Sequence, residues 1–203
     1  MTRTTEARPQ TLTFEEFLAR YRDEDLWAEW VHGEVLVMSP ASARHQMLAD
    51  FLTALLRAFV EFHRLGVVLS APFLMRLTRE IAREPDILFL RKEHLGRLKE
   101  TYLDGPADLV VEIVSSESRL RDRGEKFAEY EMAGVPEYWL IDPELQRADF
   151  YVLAPDGRYE HRRADAQGYY TAAVVSGFRL YVPWLWQDPL PPILEVLRAI
   201  GLM

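Results

Sequence analysis

Cysteine is absent from the 203 residues, which excludes disulfides, thiolate nucleophiles and cysteine-based zinc sites together. Long apolar runs are absent as well. No stretch approaches the roughly 20 residues of a membrane-spanning helix, and the opening MTRTTEARPQ has no apolar centre of the kind a secretion signal carries. The expectation is a soluble chain in the cytoplasm. Positive charge is in deficit, with 24 Lys and Arg against 32 Asp and Glu, a formal net charge of −8. Such a surface does not coat nucleic acid as a whole, because phosphate binding needs positive potential. Two basic tracts, RKEHLGRLK from Arg91 and RLRDRGEK from Arg119, leave room for a local cleft; the other reading of both is solvated loop and helix surface. There is no G-x-S-x-G elbow, no G-x-G-x-x-G or P-loop pattern, and no H-E-x-x-H, and the five histidines never fall at metal-ligand spacing. Serine hydrolase, dinucleotide enzyme and zinc protease are therefore poor fits.

What is present reads as one α/β domain spanning 1–203, since no linker, repeat or low-complexity block divides the chain and its length suffices to bury a core. Thr13-Phe14-Glu15-Glu16 has the form of a capping box and predicts a short helix toward Tyr21. A turn at Gly33 leads into a strand from Glu34 to Met38. Leu48, Phe51, Leu52, Leu55, Leu56 and Phe59 recur at three- and four-residue steps and predict a long helix from about Ser42 to His63. Three extended segments follow, VVLSAPFLMRL, PDILFL and DLVVEIV, with a short polar helix around His94 to Lys99 between the last two. DRGEKFAEYEMAG predicts a helix with Asp122 as N-cap and Gly134 as C-cap. EYWLID returns to a strand. A hairpin turning at Asp156-Gly157, a strand in YYTAAVV and a helix from Pro192 to Ile200 close the chain. Ser115, Ser116 and Ser118 are expected in a polar loop.

One residue stands against its surroundings. The segment from Leu109 to Val114 has the apolar, β-branched character of a buried strand, yet carries Glu112 in its middle. An unpaired buried charge is costly, so Glu112 either has a cationic partner or coordinates something that needs it. Asp86, directly after Pro85 at the head of ILFL, is a second carboxylate on core sheet. Two such groups on neighbouring strands make an oxygen-rich site suited to Mg²⁺ or Mn²⁺; the alternative is an arginine partner for Glu112 and a plain strand-entry role for Asp86. Asp108 shares the face of Glu112 but lies roughly 13 Å along the strand, too far to share one ion.

EPDILFL followed by DLVVEIVSSESRLRDRGEKFAEYEMAGVPEYWLIDPE resembles the Uma-two family, a branch of the PD-(D/E)XK nuclease superfamily, and EWVHGEVLVMSPASARHQ is similar to its opening strand and helix. The resemblance runs from about Phe14 to Leu180. It implies a restriction-endonuclease-like core of helix, three strands, helix and strand on a central mixed sheet, about 34–142, with the C-terminal strands and helix added. It also implies a DNA endonuclease in which Asp86, Glu112 and the carbonyl of Ile113 bind the metal while a lysine positions the attacking water. Val114 stands where the superfamily motif has that lysine, and the family places one instead at Lys126, on the following helix; the other reading of Lys126 is a solvated lysine paired with Glu129 or Glu131. Glu34 and His45 match residues common in the family and complete the candidate catalytic set.

Two further readings stay open: a catalytically silent module that binds DNA or protein, and a phosphodiesterase acting on small substrates. Tyr181, Trp184 and Trp186 lie in a proline-rich segment with no evident core of their own, which leads to the expectation of a homodimer; the alternative is that they cap the sheet.

Overall fold

The computed structural model describes residues 11–21, 28–115 and 118–203. The N-terminal decapeptide and Ser116, on which the expectations of no secretion signal and of a serine loop partly rest, lie outside the described residues.

The capping box forms as read: Glu16 accepts from the Thr13 amide at 2.8 Å, Thr13 Oγ1 accepts from the Glu16 amide at 3.2 Å, and helix α1 runs Phe14–Tyr21. A hairpin follows, β1 (Ala28–Val31) and β2 (Glu34–Val37). Ser42 caps α2 (Ala43–His63), whose apolar face is buried throughout. The next strands are β3 (Gly66–Ser70), β4 (Leu74–Arg76), β5 (Ile81–Arg83) and β6 (Ile87–Arg91). A 3₁₀ turn at Lys92–Arg97 stands where the polar helix was expected, ahead of β7 (Tyr102–Asp104) and β8 (Leu109–Ile113). Then come α3 (Arg119–Arg123), α4 (Glu125–Ala133) and β9 (Glu137–Asp142). The C-terminal part holds β10 (Arg147–Leu153), β11 (Tyr159–Arg162), β12 (Tyr169–Thr171), β13 (Arg179–Tyr181) and α5 (Ile193–Ala199).

The central sheet is mixed, in the order β11-β10-β9-β8-β6-β3, with β8 and β9 parallel and the other neighbours antiparallel. Side-chain alternation divides its two faces. Leu109, Val111 and Ile113 of β8 join Leu52, Leu55 and Phe59 of α2 in one apolar cluster, while Val110 joins Tyr130, Tyr138 and Val135 in a second cluster on the opposite face. A second sheet, β2-β1-β5-β4-β7, packs Trp30 and Leu74 against Phe14 and Phe17 of α1. The architecture is therefore α/β with a restriction-endonuclease-like core and added C-terminal elements, as expected.

Two local expectations change. Asp122 is not an N-cap: Gly124 interrupts the helix, α4 begins after it without a side-chain cap, and Asp122 is buried in the preceding α3. Of YYTAAVV only Tyr169–Thr171 is strand, because the chain turns back through Gly177, at φ +83°, to pair with β13. Tyr181, Trp184 and Trp186 are partly buried, and Trp184 and Trp186 pack against the cluster beneath α2. Among the described residues no helix is long and apolar enough to cross a membrane.

A buried carboxylate ties the C-terminal segment to the sheet. Glu137, at the start of β9, is fully buried and accepts from Trp139 Nε1 at 2.8 Å, Tyr170 Oη at 2.6 Å, and the amides of Ala173 and Val174 at 2.9 and 2.8 Å. Removing the acceptor strands four donors, each worth about 1–3 kcal/mol when left unsatisfied. Glu137→Leu should therefore lower unfolding free energy in urea titrations by about 3 kcal/mol or more, and Tyr170→Phe, which removes only one donor, by about 1 kcal/mol.

Candidate active site between the two sheets

The register of β6 and β8 pairs Ile87 with Val111, so one further step sets Asp86 opposite Glu112. That step is where regular pairing stops. The Ile113 amide donates instead to Asp86 Oδ2 at 2.6 Å, and the Asp86 carbonyl accepts from Ala71 N at 3.0 Å, which fixes the aspartate at the strand entrance. His45, from the first turn of α2, places Nε2 3.3 Å from the same Oδ2. Burial favours the neutral His45 ring, but Asp86 and the Ile113 carbonyl outweigh it and hold the pKa above the ordinary histidine value.

Glu112 answers the question its sequence raised: the cationic partner is Lys126. Lys126 Nζ donates to Glu112 Oε1 at 2.9 Å and Tyr130 Oη donates to the same oxygen at 2.6 Å, all three groups being buried. The lysine comes from the first turns of α4 and stands where Val114 does not reach, because Val114 is packed in the apolar cluster with Tyr130. Lys126 Nζ also lies 3.0 Å from Glu29 Oε1 and 3.6 Å from Asp122 Oδ1. Burial works against its charge, yet the three carboxylates prevail and raise its pKa.

Glu29 is the residue the sequence reading missed. It is fully buried on β1 and bonded on its other oxygen to Arg83 Nη1 at 2.7 Å. Arg83, itself fully buried on β5, closes a bidentate pair with Glu129 of α4, both bonds 2.7 Å. Despite burial, Lys126 and Arg83 hold the Glu29 carboxyl down at about 2. A carboxylate flanked by the core residues Ala28 and Trp30 was the available signal, the same one that marked Glu112. Glu34, expected in the site, is exposed on β2 in register with Val31 and does not line the cleft.

The cleft over these residues holds about 430 Å³, bounded by the Val37–Ser42 segment on one side and by Ser118, Arg121 and Asp122 on the other. Its floor carries more carboxylates than cations. Glu84 has no hydrogen-bond partner for Oε2, and Asp122 Oδ1 likewise has none. Burial, reinforced by Glu29, pushes the Glu84 carboxyl up to about 7. Burial also pushes Glu112 and Asp122 upward against the pull of Lys126. Asp108 sits at the far end of β8, taking the Arg91 amide at 2.8 Å and His94 Nδ1 at 2.9 Å, and plays no part here.

A family model described as "Uma2: Putative restriction endonuclease" matches residues 14–183. The "Uncharacterized protein sll1609" of Synechocystis is 25% identical over 154 residues, which span 75% of this chain and 87% of that protein. A crystal structure from Anabaena variabilis, described as a "putative nuclease belonging to DUF820", superposes with a TM-score of 0.70 at 17% identity, covering 86% of this chain and 97% of that one. At that identity the match shows a shared fold.

The raised Glu84 pKa has a sign that can be measured. An acid whose folded pKa lies near 7, against 4.5 unfolded, contributes stability that is fully present below 4.5 and lost as pH rises through 7. Metal-free protein should thus lose melting temperature between pH 5 and 8, and Glu84→Gln should flatten that decline, raising the melting temperature at pH 8 while leaving it unchanged at pH 4.5. A second test concerns the buried ion pair: Arg83→Met leaves Glu29 and Glu129 without their guanidinium and should cost about 3–5 kcal/mol in chemical unfolding.

Proposed function

The chain belongs to the Uma2 family of restriction-endonuclease-like proteins, and from that premise we propose that the cleft is the active site of a Mg²⁺- or Mn²⁺-dependent endonuclease hydrolysing DNA phosphodiesters. The observation that carries this reading is the placement of Asp86 opposite Glu112 on adjacent strands, with Lys126 2.9 Å from the glutamate. The donor set suits a hard divalent cation. It consists of carboxylates and a backbone carbonyl, without thiolate, and two buried carboxylate oxygens, Glu84 Oε2 and Asp122 Oδ1, accept no hydrogen bond. Among the described residues no three His, Asp or Glu side chains converge into a cage. A site of Asp86, Glu112, the Ile113 carbonyl and water would not need one, since Mg²⁺ is commonly held by one or two carboxylates and keeps much of its hydration.

The bound cation would supply phosphate polarisation and a water of lowered pKa. The chain's own residues do the rest. His45 and the Ile113 amide hold Asp86 in one orientation from two directions. Tyr130 and Lys126 hold Glu112. Lys126, at the cleft floor, offers a fixed positive charge to the oxygens on which negative charge develops. The burial of Lys126 and Glu112 keeps these interactions away from solvent screening. DNA as the substrate rests on the superfamily resemblance.

A specific observation favours a second reading, the catalytically silent module. Lys126 is already committed to three carboxylates, so its charge is spent inside the fold. Incubation of the purified protein with supercoiled plasmid, single-stranded DNA and a chromogenic phosphodiester, with Mg²⁺, Mn²⁺ or EDTA, separates the readings. Nicking with metal and none with EDTA is the expected result; cleavage of the chromogenic ester alone selects a small-substrate phosphodiesterase. No cleavage, together with no Mn²⁺-induced rise in melting temperature, selects the silent module.

Asp86→Asn is the cleanest variant, because the asparagine oxygen still accepts from Ile113 while one charge is lost. It should reduce nicking by about a hundredfold or more and abolish the Mn²⁺-induced thermal shift, with the melting temperature in EDTA unchanged or raised. Lys126→Ala is a poorer probe, since it leaves Glu29, Glu112 and Asp122 buried without their shared cation and should itself cost about 3–5 kcal/mol of stability.

A further inference from the structure

Helix α3 carries arginines at 119, 121 and 123. Arg119 and Arg123 are one turn apart and share a face. Both are spent on the end of the central sheet: Arg119 reaches Asp142 at 3.3 Å and Glu144 at 2.7 Å, and Arg123 reaches Asp149 at 2.9 Å and Asp142 at 3.5 Å. Arg121 lies roughly 200° around the helix from each of them. It lines the cleft, makes no ion pair or hydrogen bond among the described residues, and leaves a buried Nε without a partner. A guanidinium nitrogen removed from water with no acceptor is unfavourable, and because Arg121 belongs to the cleft lining, a ligand in the cleft can supply acceptors to its guanidinium.

We propose that Arg121 binds the scissile phosphate, donating from its guanidinium to a non-bridging oxygen of the phosphodiester; the proposal rests on the nuclease reading of this site. The cleft needs such a group. The fully buried cations Lys126 and the nearby Arg83 are committed to carboxylates at 2.7–3.0 Å, and a protein of net charge −8 with an acidic cleft floor repels a phosphate before it arrives. Guanidinium geometry matches two oxygens of one phosphate, which an ammonium does not. The ion pairs of Arg119 and Arg123 brace the short helix from behind, so Arg121 is presented from an anchored element. With one cleft arginine uncommitted among the described residues, the substrate is gripped at a single phosphate rather than along an extended backbone, and the contribution of Arg121 to the salt dependence of binding is that of about one phosphate contact.

The test compares the parent with Arg121→Ala, Arg121→Gln and Arg121→Lys. Binding is read by fluorescence anisotropy of a labelled single-stranded oligonucleotide in Ca²⁺, using an all-phosphate strand and one with methylphosphonate linkages, and cleavage is read in Mn²⁺. Arg121→Ala and Arg121→Gln should weaken binding of the phosphate strand about tenfold, leave binding of the uncharged strand unchanged, and reduce the slope of log affinity against log salt by about one. Arg121→Lys should recover part of the loss. Melting temperatures equal to the parent's exclude misfolding, and equal losses on both strands show a merely structural role and overturn the proposal. A parent that cleaves while the Ala and Gln variants bind and cleave as it does overturns the proposal alone. A parent that neither binds nor cleaves overturns the nuclease reading and this proposal with it.

Discussion

The structure depends on keeping buried carboxylates neutralised. Glu112, Lys126, Glu29, Arg83 and Glu129 form one alternating line of charge, each link 2.7–3.0 Å, and it joins four separate elements: β8 of the central sheet, β1 and β5 of the second sheet, and α4. None of these five side chains is substantially exposed, so each charge requires its neighbour to remain inside. The line holds the two sheets in register with each other where apolar packing, which has no directional preference, would let them slide.

The same economy of charge sets the character of the cleft. Glu29 and Glu84 are joined by an amide contact, the Glu84 N–H reaching Glu29 Oε1 at 3.3 Å, yet their pKa values are driven apart, to about 2 and about 7. The difference is a matter of partners. Glu29 has two cations; Glu84 has burial and a negative neighbour. Pairs of carboxylates separated in this way are characteristic of sites that handle protons or cations, and Glu84 stands two residues before Asp86. The core thus concentrates excess negative charge at one end of one sheet, beside the point where β6 and β8 cease to pair.

Around that point the fold uses polar anchors in place of a larger core. Glu137 fastens the returning C-terminal chain, Asp108 fastens the 3₁₀ turn after β6, and Asp142 with Asp149 fastens α3. Each is a buried carboxylate on or next to a strand, accepting from amides or arginines of a segment with little regular structure of its own. Because each anchor is directional, it specifies where the segment sits as well as that it is attached, and this is how the short α3 comes to border the cleft.

Much of this was readable in the order of residues. Periods of 3.6 and 2 residues are local, so the long α2, the strand character of 109–114 and the Thr13–Glu16 capping box followed from composition along a few turns or a few strand positions. A carboxylate in an apolar strand was readable as a group needing a partner for the same reason, since burial of the flanking residues is itself a local inference. Which partner it took was not local. Lys126 is 14 residues from Glu112, and Arg83 is 54 from Glu29, so the pairing depended on how α4 crosses the sheet and how the two sheets meet. Tertiary structure alone chose Glu29 over Glu34, because both acids lie in one hairpin and only the packing of β1 against β5 shows which side faces inward. It also turned Asp122 from a helix cap into a buried neighbour of Lys126, through the break at Gly124, and it set Trp184 and Trp186 partly buried against the core. Residue order set which groups needed neutralising, because desolvation acts on each group by itself; the fold decided what neutralised them, because Coulomb pairing acts through distances that the chain acquires only on folding.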